Sequence, residues 1–164
     1  AIAKRNKAGK ADAILIADAS RTAVQAIPNL RRGPSTSARI LGTELWNTEM
    51  GLTSPALAGA WFASVSDGVY GQMAARYRGR FGGAPYRLSS LGYDAVLLAT
   101  KVAANWKLGT AFPLPALDDA GGFSGIDGPF RFNAYGVAER ALEVQQIGPN
   151  GMTVISPAPK GFED

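Results

Sequence analysis

The first 65 residues alternate short apolar runs with segments that carry helix signals, and this order constrains the fold more than any other feature. The run AILIA is typical of a strand buried on both faces of a parallel sheet. Asp18 and Ser20, which follow it, are good helix caps. The pattern predicts strand, helix, strand, one-turn helix and strand over residues 13–17, 21–32, 38–42, 54–57 and 60–65. This order predicts a doubly wound α/β fold with a mainly parallel sheet.

The rest of the chain predicts helices followed by strands. The helices are expected over residues 67–81, 90–107 and 113–117. In the first of these, apolar side chains recur every four positions, which is the spacing of one helix face, at Val69, Met73, Tyr77 and Phe81. A glycine-dense turn then leads into a predicted C-terminal β meander, with alternating strands over residues 130–133, 142–147 and 152–155.

Histidine and cysteine are both absent from the 164 residues, and this excludes several kinds of chemistry. Ser-His-Asp and Cys-His catalysis, zinc sites with His or Cys ligands, haem bound through His and iron–sulfur clusters all need one of them. No phosphate-loop, dinucleotide-binding or nucleophile-elbow motif occurs. The Asp118-Asp119 pair is better explained as a solvated helix end than as a cation site. We therefore expect no enzyme activity, no bound metal and no cofactor.

The net charge of +4 permits an acidic partner without requiring one. Two basic clusters stand out, one from Lys4 to Lys10 and one from Arg76 to Arg80. Both have the spacing of a solvated helix surface, so we expect no nucleic-acid partner. No apolar run is long enough to span a membrane, and the basic start lacks the apolar segment of a signal peptide.

The candidate binding residues follow from topology, because ligands of open α/β sheets bind beyond the carboxyl ends of the strands. Two such segments are predicted, after the first and second strands, and together they offer Asp18, Ala19, Ser20, Thr43, Glu44 and Trp46. The first segment can meet a polar ligand with backbone N–H groups and a hydroxyl, or it can simply cap the helix. In the second segment, the Glu44 carboxylate and the Trp46 indole can together hold an ammonium group. Alternatively, Glu44 is simply exposed to solvent and Trp46 packs in the core.

Several moderate motifs occur in an order that resembles one protein family. They are residues 12–20 (DAILIADAS), 40–46 (ILGTELW), 58–62 (AGAWF), 73–82 (MAARYRGRFG), 90–96 (SLGYDAV), 122–133 (GFSGIDGPFRFN) and 142–145 (LEVQ). From about Asp12 onward, the chain resembles the C-terminal portion of a type I periplasmic solute-binding protein of the leucine/isoleucine/valine-binding class. Within that class, the residues of these motifs are most similar to those of the penicillin-binding protein activator branch, whose members are lipoproteins that stimulate peptidoglycan synthases.

The resemblance implies two α/β lobes with a ligand between them, of which this chain holds one. Residues 1–66 and 121–164 are then expected in the second lobe, and residues 67–120 form helices that pack on the missing N-terminal lobe in relatives. The chain is thus expected to be a fragment of a periplasmic protein, and a lipid-anchor cysteine would lie upstream of it. The two helices must bury their apolar stripes by rearranged packing, by dimerisation or against a cleaved partner fragment.

The resemblance also suggests roles for two of the candidate residues. Ser20 falls where a ligand-stacking tyrosine often lies, and Glu44 falls where a carboxylate takes the ligand's ammonium group. The leading hypothesis is the amino-acid receptor of an ABC transporter, with the ABC permease as its partner. The alternative is a regulator whose partner is a peptidoglycan synthase. Function cannot be taken from the fold alone, since the two branches share it.

Overall fold

The computed structural model describes residues 10–32, 34–48 and 54–162. The basic residues Lys4, Arg5 and Lys7 lie outside these ranges. The helices are α1 (Ser20–Leu30), α2 (Asp67–Phe81) and α3 (Ser89–Ala103), with short 3₁₀ helices at Glu44–Thr48, Pro55–Leu57 and Leu114–Leu117. The strands are β1 (Ala13–Leu15), β2 (Arg39–Gly42), β3 (Trp61–Ser64), β4 (Phe123–Gly125), β5 (Gly128–Phe132), β6 (Ala138–Arg140), β7 (Glu143–Gly148) and β8 (Gly151–Ser156).

The chain forms two compact units. The first comprises the described residues up to Ser64 together with Glu143–Pro157, and the second comprises Val65–Leu142 and the described residues from Ala158 onward. Residues 143–157 thus join the first unit, whereas residues 121–142 belong to the same unit as α2 and α3. The division into lobes proposed from the sequence stays a prediction. No helix in the described ranges is long and apolar enough to cross a membrane.

The first unit is built on a five-stranded sheet in the order β1-β2-β3-β7-β8. The pairs β1–β2 and β2–β3 are parallel, as the strand–helix–strand pattern predicts, while β7 adds to β3 in an antiparallel direction and β8 closes a hairpin with β7. The core lies between one face of this sheet and α1, and it consists of Ala23, Ile27, Ile40, Trp46, Leu57, Ala60, Phe62 and Ile147.

The predicted burial of the first strand on both faces is wrong. Leu15 is 62% exposed, whereas Ile14 and Ile16 pack against the core cluster. The reason is that only the face of β1 that meets α1 is covered in the described chain, and Leu15 lies on the other face. An unbroken apolar run therefore does not guarantee two covered faces.

In the second unit, α2 has the bounds that its four-residue period predicts, while α3 ends four residues before the predicted limit at Lys107. The strands β4, β5 and β6 form a separate antiparallel sheet. The predicted C-terminal meander is consequently divided between two sheets, because β7 finds its partner in β3, far back along the chain. Pairings over such sequence distances are not encoded in local alternation.

Candidate functional site

The carboxyl ends of β1 and β2 meet at one edge of the first unit's sheet. The strands are parallel, with Ala13 opposite Arg39 and Leu15 opposite Leu41. The Ile16 N–H donates to the Leu41 carbonyl at 2.8 Å, so the pairing continues one residue beyond β1. The two predicted binding segments leave the sheet at this edge, as topology requires.

Trp46 joins the two segments. Its indole Nε1 donates a hydrogen bond to the Asp18 carbonyl at 2.7 Å, and its ring lies 6.2 Å from the ring of Phe62. The side chain is completely buried. A methyl group at Gly42 would overlap the indole, because a Cβ there would lie 2.4 Å from two of its ring carbons. Gly42 thus leaves the space that Trp46 fills, and the indole is a packing element of the core.

The start of α1 differs from the predicted cap. Ala19 is the N-cap residue, and no side chain in the described part of the chain caps the helix. The Asp18 carboxylate instead accepts the N–H of its neighbour Ala19 at 2.6 Å, and Ser20 is completely buried inside the first turn. The Ala23 N–H makes the first helical bond, to the Ala19 carbonyl at 3.1 Å. The prediction that Asp18 or Ser20 caps this helix is therefore wrong.

Glu44 offers an exposed carboxylate at this edge. It begins the 3₁₀ helix that follows β2, and the Trp46 N–H holds this turn by donating to the Thr43 carbonyl at 3.1 Å. Thr43 is half-buried, and its buried Oγ1 has no hydrogen-bond partner among the described residues. No cation of the described chain forms an ion pair with Glu44 or Asp18. The structure thus brings the six predicted residues to one edge, with Asp18 and Glu44 as its exposed acids and Ser20 and Trp46 inside. Their contacts with a ligand stay predictions.

Sequence reasoning missed a buried acid at the same edge. Glu143 begins β7 opposite Ser64, the last residue of β3, and is 7% exposed. Its Oε1 accepts a hydrogen bond from Gln145 Nε2 at 2.6 Å. Burial alternates along β7, and the buried positions are those of Glu143, Gln145 and Ile147. Two polar residues therefore share the inner face of this strand with Ile147. Hydrophobicity alone favours the opposite choice, since it would turn Leu142 and Val144 inward.

The second unit contains two further acids that the sequence does not mark. Asp94, on α3, is 3% exposed and accepts the Ile126 N–H at 2.7 Å, and its other oxygen pairs with Arg140 at 3.1 Å. Asp127 is also buried and pairs with Arg87 at 2.6 Å. Each has its own internal partner, which indicates a structural role. No group of His, Cys, Asp and Glu in the described ranges could hold a metal ion.

No protein-family model and no curated protein matches the chain, but solved structures do. A branched-chain amino acid ABC transporter protein from Rhodospirillum rubrum has a TM-score of 0.73 at 21% identity, over 88% of this chain and 44% of that one. LivJ from Streptococcus pneumoniae, a branched-chain amino acid transporter substrate-binding protein in complex with isoleucine, has a TM-score of 0.56 at 18% identity, over 94% and 47%. The C-domain of LpoA from Haemophilus influenzae, a regulator of PBP1A, has a TM-score of 0.60 at 14% identity, over 89% and 45%.

These likenesses show the fold. The chain has the α/β architecture of type I periplasmic binding proteins, as the order of its motifs predicts, and it spans less than half the length of each of the three structures. Two of the three are transport proteins and the third is a regulator. Identities of 14% to 21% leave open which of these functions the chain shares.

Proposed function

We propose that this chain is part of a periplasmic solute receptor that binds a small ligand with an ammonium group, such as an amino acid, without catalysis. The observation that carries the proposal is the exposed carboxylate of Glu44 on a turn fixed to the neighbouring loop by the Trp46–Asp18 hydrogen bond of 2.7 Å. Because the backbone of this turn is fixed, only the Glu44 side chain has to be ordered when its carboxylate pairs with a ligand cation. Asp18 adds a second negative charge on the joined loop.

The proposed mechanism assigns separate tasks to the residues at this edge. Glu44 accepts hydrogen bonds from the ligand's ammonium group, because charge-assisted bonds of this type are among the stronger ones in proteins. Trp46 and Gly42 position the turn without touching the ligand. The remaining ligand contacts would come from a second lobe, and the closed arrangement would be favoured by contacts that the open one lacks. The partner would be an ABC permease.

The test is thermal unfolding of the purified protein, in the full length that its gene encodes, against a panel of amino acids and amines. Binding to the native state must stabilise it, by about 2.7 kcal/mol at a ligand concentration of 100 times Kd. We expect the Tm to rise with at least one ligand and the rise to disappear in Glu44→Gln. Asp12→Asn is the matched control, since Asp12 is an exposed acid beside the opposite end of β1. An unchanged response in Glu44→Gln, or no response to any compound, would contradict the proposal.

A second function is favoured by a different observation. Trp46 and Ser20 are completely buried, so two of the six predicted contacts have no exposed side chain in the described chain. A regulator that acts on a peptidoglycan synthase, anchored by a lipid on an upstream cysteine, would not need them. In that case no small molecule shifts the Tm, and the immobilised full-length protein captures a purified synthase. Capture that survives Glu44→Gln would favour the regulator over the receptor.

A further inference from the structure

A polar pocket lies at the end of the first unit's sheet opposite to the candidate ligand site. It is formed where β2 and β3 begin, beside the last turn of α1, and has a volume of ≈ 260 Å³. Its polar side chains are those of Arg31, Thr36, Ser37 and Arg39. Because β2 and β3 are parallel, their first residues lie at one edge, and α1 ends at that edge after crossing the sheet.

Arg39 is held in one orientation in this pocket. Its Nη1 donates to the Gly59 carbonyl at 2.7 Å, and its guanidinium lies 4.6 Å from the centre of the Trp61 ring. Trp61 is fixed in turn, since its Nε1 donates to Gln146 Oε1 at 2.9 Å. A guanidinium fixed by a carbonyl and an aromatic face is pre-organised, so less side-chain entropy is lost when it binds an anion.

The charge around the pocket is unbalanced. Lys10 and Asp12 flank Ala11, whose N–H donates to Ser35 Oγ at 2.8 Å, and this bond brings them to the loop that lines the pocket. Arg31 and Arg39 line the pocket, and none of the described residues that line it is acidic. Asp12, whose carbonyl accepts the Arg39 N–H at 2.9 Å, brings one carboxylate to this edge. No carboxylate of the described chain forms an ion pair with Arg31 or Arg39.

One effect opposes anion binding here. The C-terminal end of α1 carries about half a negative charge from the helix dipole. Arg31, immediately after α1, and Arg39 each carry a full positive charge, so the two guanidinium groups outweigh it roughly fourfold. The hydroxyls of Thr36 and Ser37 supply neutral donors beside them.

We propose that this pocket is a binding site for a phosphate-type oxyanion, either free or on a larger molecule such as a lipid headgroup. Guanidinium groups donate paired N–H bonds whose geometry matches phosphate oxygens. The site is distinct from the one at Glu44, which is expected to take a cation. Its ligand is of opposite charge, so each site can be tested without the other.

The test is titration of the purified full-length protein with inorganic phosphate, followed by NMR chemical shifts of the arginine side chains and of the loop amides. We expect saturable shifts at Thr36 and Ser37, and a Kd raised about tenfold or more in Arg39→Gln, because each bond to a charged group contributes on this scale. Arg31→Gln is the second variant, in case the loss of the Arg39–Gly59 bond unfolds the protein. Arg21→Gln, at the other end of α1, is the control and should leave the Kd unchanged.

The two sources of the anion are separated by vesicles. Co-sedimentation with phosphatidic acid vesicles, but not with phosphatidylcholine vesicles, would assign the site to a phosphorylated lipid, provided that Arg39→Gln abolishes it. Saturable phosphate binding without co-sedimentation would assign it to a free anion. Shifts that stay linear with phosphate, or that are equal in the wild type, Arg31→Gln and Arg39→Gln, would overturn the proposal.

Discussion

At the scale of single residues, Trp46 organises the candidate site from inside. Its indole is completely buried and donates to the Asp18 carbonyl at 2.7 Å. A buried Trp contributes a large apolar area and generally finds an acceptor for its N–H, and here that acceptor belongs to the other loop of the site. The sequence places Trp46 beside Glu44 but does not say which of the two turns inward, because both positions follow the end of a strand.

Gly42 makes the position of Trp46 possible, so we predict that Gly42→Ala lowers stability. A Cβ at this position would lie 2.4 Å from the indole, which is itself enclosed by the core. Overpacking of this kind costs about 1–3 kcal/mol. Urea unfolding of the wild type and the variant measures the cost.

The specific cause can be isolated with a double-mutant cycle. In a Trp46→Leu background, the ring that the new methyl group would strike is gone, so Gly42→Ala should cost much less than it does in the wild type. An equal cost in both backgrounds would show that the strain comes from somewhere other than the indole.

At the scale of elements, the sequence patterns predicted the helices and strands that depend on neighbouring residues. The four-residue period gave α2 its bounds, and the apolar runs identified β1, β2 and β3 near their observed positions. The carboxyl-end rule then brought the six predicted residues to one sheet edge. Long-range choices were not predictable in this way: β1 is an edge strand, β7 pairs with β3, and the buried face of β7 carries Glu143 and Gln145. Each of these depends on a partner distant in sequence.

The Asp94 carboxylate links α3 to the β4–β5 hairpin, and we predict that Asp94→Ala strongly destabilises the second unit. Asp94 accepts the Ile126 N–H at 2.7 Å and pairs with Arg140 at 3.1 Å. Gly125 leaves room for the Asp94 carboxylate, since a Cβ at position 125 would lie 2.3 Å from Asp94 Oδ2. Removing one member of a buried pair costs about 3–5 kcal/mol, because the other charge is left unpaired. Urea unfolding of the wild type and the variant, followed by circular dichroism, measures the loss.

The same unit contains a matched control for burial. Arg131 pairs with Glu139 at 3.0 Å, a similar distance, but the Glu139 side chain is 43% exposed. We expect Glu139→Ala to cost less than about 1 kcal/mol, as exposed pairs generally do. Equal losses in the two variants would mean that burial does not determine the strength of these contacts.

At the scale of the whole molecule, the second unit carries a row of apolar side chains on its surface. In the second unit, Val69, Met73, Tyr77, Phe81 and Tyr93 line one groove of ≈ 310 Å³, together with Ile126. The rings of Tyr77 and Phe81 have their centres 4.5 Å apart with the planes tilted by 42°, and the two residues are 40% and 62% exposed. The stripe that the sequence predicted on α2 is therefore present, but only Ala74 of this helix is buried in the described chain. Exposed patches of this kind favour association.

We therefore predict that the 164-residue chain by itself self-associates through the second unit at concentrations of tens of micromolar. Phe81→Glu should shift its mass, measured by light scattering after size exclusion, toward that of a monomer, because a charge would have to be buried in the contact. Leu15→Glu is the matched control: Leu15 is 62% exposed, as Phe81 is, but it lies on the edge strand of the first unit. Circular dichroism checks that both variants remain folded. A monomeric wild type would show that the predicted association does not occur. An equal effect of the two substitutions would show that the contact is not specific to the second unit.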